Sequence, residues 1–125
     1  MSKLKASIGL INPKSPTNVG GVLRAAGCYD AKQVYFTGNR YLNAQKFHTD
    51  TKNVVERIPL TSTDSLEKVK PEGATVVVVE LIEGATPLPE FKHPENAFYV
   101  LGPEDGSVPK DVLKWCDEVV YIPTI

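Results

Sequence analysis

Asn18, Gly20, Gly21 and Arg24 stand within the seven residues NVGGVLR, and Glu104 stands in a second tight cluster, LGPEDG, at 101–106. An asparagine side chain suits the N-cap of a helix, and a guanidinium can grip a phosphate or a hydroxyl oxygen through paired, charge-assisted hydrogen bonds. A carboxylate such as Glu104 can orient that guanidinium or accept a hydrogen bond from a substrate or from Asn18. The free N–H groups of a helix's first turn favour an anion, so a helix opening at Asn18 is a candidate binding element. At 100° per residue, Gly20, Gly21, Arg24, Gly27 and Cys28 share about 120° of arc, which leaves the cation over a face nearly devoid of side chains. Early glycines cost such a helix about 1–2 kcal/mol relative to alanine. The plain alternative is that the glycines ease a tight strand-to-helix turn and that Arg24 and Glu104 are solvated.

The elements around these residues follow from hydrophobic spacing. Val19, Val22, Leu23 and Ala26 form the stripe of a helix packed on a sheet, predicting Val19–Tyr29 as helical. Further helices are expected near Asp64–Val69, with Asp64 and Glu67 in capping-box spacing, and over Pro109–Cys116, started by Ser107. Strands are expected at Ala6–Ile11, Gln33–Phe36, Arg57–Leu60, Thr75–Leu81, Ala97–Leu101 and Glu118–Ile122. The run VVVVEL lacks alternation, as a strand buried on both faces should. The chain therefore reads as one α/β domain over residues 1–125, a mostly parallel sheet with helices on both faces. Thr37 to Asn53 has no clear period and reads as a functional or mobile loop.

Composition places the chain among ordinary globular domains, with 42% hydrophobic and 23% charged residues. Apolar runs such as Val76–Val79 are too short to span a bilayer, and the N-terminus lacks a signal-peptide pattern, so no membrane association and a cytoplasmic location are expected. Cys28 and Cys116 sit in no metal or redox spacing, and His48 and His93 have no partners in ligand spacing; no metal is expected. Net charge is −1, yet residues 1–57 carry nine lysines and arginines against three acids, and residues 58–125 carry five against twelve. Such asymmetry suits a nucleic-acid face on one side, or simply uneven spread along the chain. Glycines at 20, 21 and 27 miss the G-x-G-x-x-G dinucleotide spacing and no Walker lysine follows.

Taken together, Asn18-x-Gly20-x3-Arg24-x-Ala26, then Leu101-Gly102-Pro103-Glu104-x-Gly106, Cys116-Asp117 and Ile122-Pro123 closely resemble the SpoU (TrmH-like) branch of the SPOUT RNA 2′-O-methyltransferases, over nearly the whole chain. The resemblance implies an α/β fold with a C-terminal trefoil knot, a homodimer, and S-adenosyl-L-methionine as cofactor. It places Leu81, Leu101, Gly102, Glu104 and Ile122 in the cofactor pocket, makes Arg24, Asn18 and Glu104 the catalytic group, and turns the Arg24 face toward the partner subunit and the RNA. The substrate it implies is tRNA or rRNA. The family's third motif, a serine and an asparagine on the knotted tail, is expected a few residues after Ile122-Pro123, and the sequence stops at Ile125. A catalytically inactive RNA-binding and dimerisation domain of the same type is the competing reading, and a small nucleotide-binding α/β domain is a third.

RNA contacts are expected from the first half: Arg24, Arg40, Lys46 and Lys52, interleaved with Tyr41, Phe47 and His48 and followed by Arg57, combine phosphate attraction with base stacking. The alternative is a surface loop whose Tyr41 and Phe47 pack on the core.

Overall fold

A computed structural model describes residues 5–28, 31–45, 59–80, 84–103 and 105–121, with the side chains at 24–28, 45 and 89 left undescribed. Seven strands form one sheet: β1 (Lys5–Leu10), β2 (Gln33–Phe36), β3 (Leu60–Ser62), β4 (Thr75–Val79), β5 (Thr86–Pro87), β6 (Asn96–Leu101) and β7 (Glu118–Tyr121). Their spatial order is β3-β2-β1-β6-β4-β7-β5, and all six pairings are parallel. The chain winds outward from β1 to β3, returns to build β4 on the other side, and then inserts β6 between β1 and β4. This reversal is the kind of place where ligands bind at the carboxyl ends of strands in open α/β sheets. Register brings those ends level, with Leu10 opposite Leu101 and Leu101 opposite Val79.

Both faces are covered, as an all-parallel sheet requires. One carries α1 (Pro16–Cys28) and α2 (Arg40–Gln45), whose Val19, Leu23 and Tyr41 pack with Leu10, Val34 and Phe36. The other carries α3 (Leu66–Val69) and α4 (Lys110–Trp115), where Leu66 and Val112 close over Val76, Val78, Phe98 and Val100. Leu23, Val76, Val78, Phe98 and Val100 are wholly excluded from solvent. Each such side chain contributes about 1.5–3 kcal/mol by burial, so these two apolar layers hold the strand ends in place. No helix among the described residues is long and apolar enough to cross a membrane.

Several boundaries differ from the sequence reading. Helix α1 begins three residues before Val19, because Ser15 and not Asn18 caps it: the Asn18 N–H donates to Ser15 Oγ at 3.2 Å and the Val19 N–H to the Ser15 carbonyl at 3.0 Å. Pro16 then takes the first helical position, where its missing N–H costs nothing. The Asp64-x-x-Glu67 box does not form, since Ser65 is the cap of α3 and its N–H donates to Thr63 Oγ1 at 3.3 Å. Pro109 rather than Ser107 precedes α4. The third strand lies at Leu60–Ser62, after the expected Arg57–Leu60.

Candidate functional site at the carboxyl edge of the sheet

Where β1 and β6 end side by side, a cleft of about 200 Å³ opens between α1 and the loop after β6, lined by Leu10, Pro13, Asn18, Val19, Val22, Leu101 and Gly102. Ligand pockets run to roughly 300–1,000 Å³, so this cleft fits part of a nucleoside-sized molecule. Its walls are hydrocarbon apart from the Asn18 amide and the backbone at Gly102. Thus the two sequence clusters meet: Asn18 from the first and Leu101 and Gly102 from the second face one space. Gly102 is required there by close approach. A Cβ on it would stand 3.1 Å from both the Val108 nitrogen and Val108 Cγ2, and 3.3 Å from the Ser107 carbonyl carbon.

The loop that follows is tied down twice. Its turn closes with the Gly106 N–H donating to the Pro103 carbonyl at 3.2 Å, and the Val108 N–H donates to Glu80 Oε2 at 2.6 Å. Glu80 directly follows β4, and its own N–H donates to the Val120 carbonyl of β7 at 2.8 Å. Glu80 therefore joins the end of β4 to β7 through its backbone and to the loop leaving β6 through its carboxylate.

A second set of contacts fixes the loop leaving β1. Asn12 is held in the left-handed region at φ 44°, its N–H donating to Thr37 Oγ1 at 3.1 Å. Gly38, at φ 82°, lies against the Asn12 side chain with no room for a Cβ. Arg40, the first residue of α2, donates from Nη2 to the Asn12 carbonyl at 2.7 Å, and from Nη1 and Nη2 to Asp105 Oδ2 and Oδ1 at 2.8 and 3.0 Å. Lys14 Nζ lies 4.0 Å from the same carboxylate. The hydrogen bond from Arg40 holds the Asp105 carboxyl below its ordinary range, with the Arg40 charge adding to it.

Of the residues singled out in the sequence, Asn18, Leu101 and Gly102 come together, with Asn18 exposed in the first turn of α1. Arg24 lies in α1, where its side chain is not described; Glu104, Leu81, Ile122, Lys46 and Lys52 lie outside the described residues, as do Phe47, His48 and Arg57. Gly20 is buried and Gly21 half-buried within this chain, so the glycine face is less open than the helical wheel suggests. Tyr41 corrects the stacking expectation: it is 1% exposed and packs edge-on against Phe36, ring centroids 5.1 Å apart, so no base can reach it. Arg40 is engaged by Asp105 and Asn12. Sequence reasoning missed Asn12, Glu80 and Asp105. Only the Thr37-Gly38 step after a strand hinted at the turn that holds Asn12. Among the described residues, no group of three or more His, Cys, Asp or Glu could hold a metal ion.

A mouse (Mus musculus) tRNA (guanosine(18)-2′-O)-methyltransferase, TARBP1, is 26% identical over 129 residues, a match covering 98% of this chain and 8% of that protein. The chain thus spans less than a tenth of that curated relative. A solved structure concerned with the 2-OH methylation of C/U34 on tRNA superposes with a TM-score of 0.80 at 22% identity, covering 98% of this chain and 82% of the other. The A. aeolicus TrmH/SpoU tRNA modifying enzyme gives 0.76 at 15% identity, covering 96% and 63%. An AdoMet-bound rRNA methyltransferase from Sinorhizobium meliloti gives 0.77 at 18%, covering 97% and 48%. The family model of the SpoU rRNA methylases matches residues 5–125, both clusters included, and this chain belongs to that family.

Proposed function

We propose that the protein is an S-adenosylmethionine-dependent RNA ribose 2′-O-methyltransferase acting on tRNA or rRNA. The observation that carries the reading is the cleft in which Asn18 meets Leu101 and Gly102 at the reversal point of the sheet. Family membership and the names of the relatives support it. The cleft suits the cofactor in character: hydrocarbon walls accept its apolar parts, and Gly102 leaves the backbone bare where a side chain would intrude. Leu101 and Gly102 would hold it, with Leu81, Glu104 and Ile122 completing the pocket. When bound, S-adenosylmethionine supplies the electrophilic methyl group.

The protein's own share is alignment, exclusion of water and help for the charge developing on the ribose 2′-oxygen. Arg24 grips the RNA phosphate or that oxygen. A guanidinium with a pKa above about 12 is a poor proton acceptor, so its role is electrostatic and not that of a base. Glu104 orients Arg24 or accepts a hydrogen bond from the substrate, and Asn18 fixes the geometry of the cleft wall. Lys46 and Lys52 add phosphate contacts. The same reading takes the working unit as a cytoplasmic homodimer with the trefoil knot of the family, with the half-buried Gly21, which has no side chain, on the helix that carries Arg24.

The test is tritium transfer from S-adenosylmethionine to bulk tRNA and to rRNA from cells lacking the gene. Arg24→Ala should lower transfer by about 100-fold or more, the scale of losing one charge-stabilising donor, while calorimetric affinity for S-adenosylmethionine stays within about twofold. Wild-type protein that labels neither RNA overturns the enzyme reading, and a fully active Arg24→Ala variant overturns the residue assignment.

A further inference from the structure

We propose that Arg40 and Asp105 form a latch that sets the loop leading to Asn18 and the loop following Gly102 in their working relation, making Arg40 a positioning residue rather than an RNA contact. The inference rests on the methyltransferase reading for its effect on turnover, and on geometry alone for the latch itself.

Among the described residues, one planar guanidinium makes three hydrogen bonds of 2.7 to 3.0 Å: two to the Asp105 carboxylate and one to the Asn12 carbonyl. Those acceptors belong to the loops that carry the two motifs. Asn12 opens the segment running through buried Pro13 and the Ser15 cap to Asn18, and Asp105 lies three residues after Gly102 and next to Glu104. A left-handed residue such as Asn12 needs its backbone groups over-determined to persist. Here its N–H is taken by Thr37 Oγ1 and its C=O by Arg40.

The base of the latch is rigid, because Arg40 opens α2 and its neighbour Tyr41 is buried against Phe36. Arginine is specified by the fork: lysine offers a point charge and cannot pair bidentately with a carboxylate. Pairing also neutralises the cation locally, which leaves it a weak attractor of phosphate. The Arg40 and Asp105 side chains are 35% and 47% exposed, and an ion pair so exposed adds little to global stability. Its leverage is on placement, since a misplacement of about 1 Å can slow an aligned reaction by about 100-fold.

Arg40→Gln, Arg40→Lys, Asp105→Asn and the Arg40→Gln/Asp105→Asn double variant separate the possibilities. We expect each of Arg40→Gln and Asp105→Asn to lower kcat for methyl transfer by about tenfold or more, with KM for RNA and for S-adenosylmethionine within about twofold and an unchanged thermal midpoint. The double variant should be no slower than Arg40→Gln, because that change already removes the Arg40–Asp105 contact along with the one to Asn12, and Arg40→Lys should recover only part. A phosphate-contact role gives a different result and overturns the proposal: Arg40→Gln raises KM for RNA, while Asp105→Asn leaves kcat intact.

Amide hydrogen exchange reads the latch without any turnover. Asp105→Asn should speed exchange at Asn12, and Arg40→Gln should speed it at Gly106. Unchanged exchange at both amides refutes the latch. Coupled exchange in a protein whose wild type methylates no RNA removes the enzymatic reading and leaves the latch standing.

Discussion

Gly102 shows how a single atom can set the shape of the site. A methyl group there would press on the backbone nitrogen and a side-chain carbon of Val108 at 3.1 Å, and the Val108 N–H is itself committed to Glu80 at 2.6 Å. The loop therefore cannot yield without giving up a short, charge-assisted bond. Gly102→Ala is expected to weaken S-adenosylmethionine binding by about tenfold or more, equivalent to about 1.4 kcal/mol, as measured by calorimetry. Retained wild-type affinity would show that the backbone at 102 does not border the cofactor. The sequence placed Gly102 at the pocket through family resemblance, whereas its close approach to Val108 was not legible, because that contact forms only when the loop after β6 folds back. Arg40 was legible as a cation but not as a latch. Its partners lie 28 and 65 positions away, and no local pattern records a contact that exists only once three loops are folded together. Tyr41 was left between two readings for a related reason: an aromatic beside a cation looks the same in sequence whether it stacks on a base or fills a core.

At the scale of elements, α1 holds the site because both its start and its face are specified. Ser15 caps it, Pro16 occupies the first turn, and Val19 and Leu23 bury fully against the sheet. Ser15→Ala should cost about 1 kcal/mol of stability in urea melts by loss of the cap. Asn18→Ala should leave those melts nearly unchanged, since its exposed side chain caps nothing, and should act on turnover instead. The reverse ranking would restore Asn18 as the cap. Leu23→Ala, in contrast, should cost about 2–5 kcal/mol by opening a cavity between α1 and the β1–β2 surface. The apolar stripe made this helix legible, but its first turn was hidden because Pro16 and Thr17 carry no periodic signal. Helix α2 escaped notice altogether: RYLNAQ is six residues long, too short to show a period, and Tyr41 supplies the only fully buried anchor among its described side chains. Likewise β5 is a two-residue edge strand containing a proline, which sequence patterning excludes from a sheet interior and cannot place at an edge.

Across the whole molecule, the strand order and the two apolar layers were legible only in outline. Buried runs such as VVVVE and NAFYVL announce a parallel sheet, whereas the insertion of β6 between β1 and β4 depends on crossovers that no local pattern encodes. The fold's response to pH follows from where its titrating groups ended up. Asp105 is held below its ordinary 3.8, chiefly by the Arg40 hydrogen bond, so what it contributes is fully present above that value and is lost as pH falls through the lowered one. The opposite sign applies to Cys116, raised above 9.0 first by burial and then by the charges of Asp117 and Glu118, and to Tyr99, raised above 10.0 by burial. Both stay protonated more readily in the folded chain, so their contribution is intact below those values and is lost as pH climbs through them. Cys116 Sγ lies 3.2 Å from the Leu113 carbonyl, and the Tyr99 hydroxyl lies 2.6 Å from His93 Nδ1, so each is held by its fold neighbours when protonated. Urea midpoints from about pH 3 to about pH 11 should therefore trace a plateau that falls on the alkaline side as the thiol and the phenol ionise. Cys116→Ser and Tyr99→Phe should each shrink the alkaline fall, while Asp105→Asn should shrink the acid one. If the alkaline limb of Cys116→Ser superimposes on that of the wild type, the half-buried thiol is not what limits stability there.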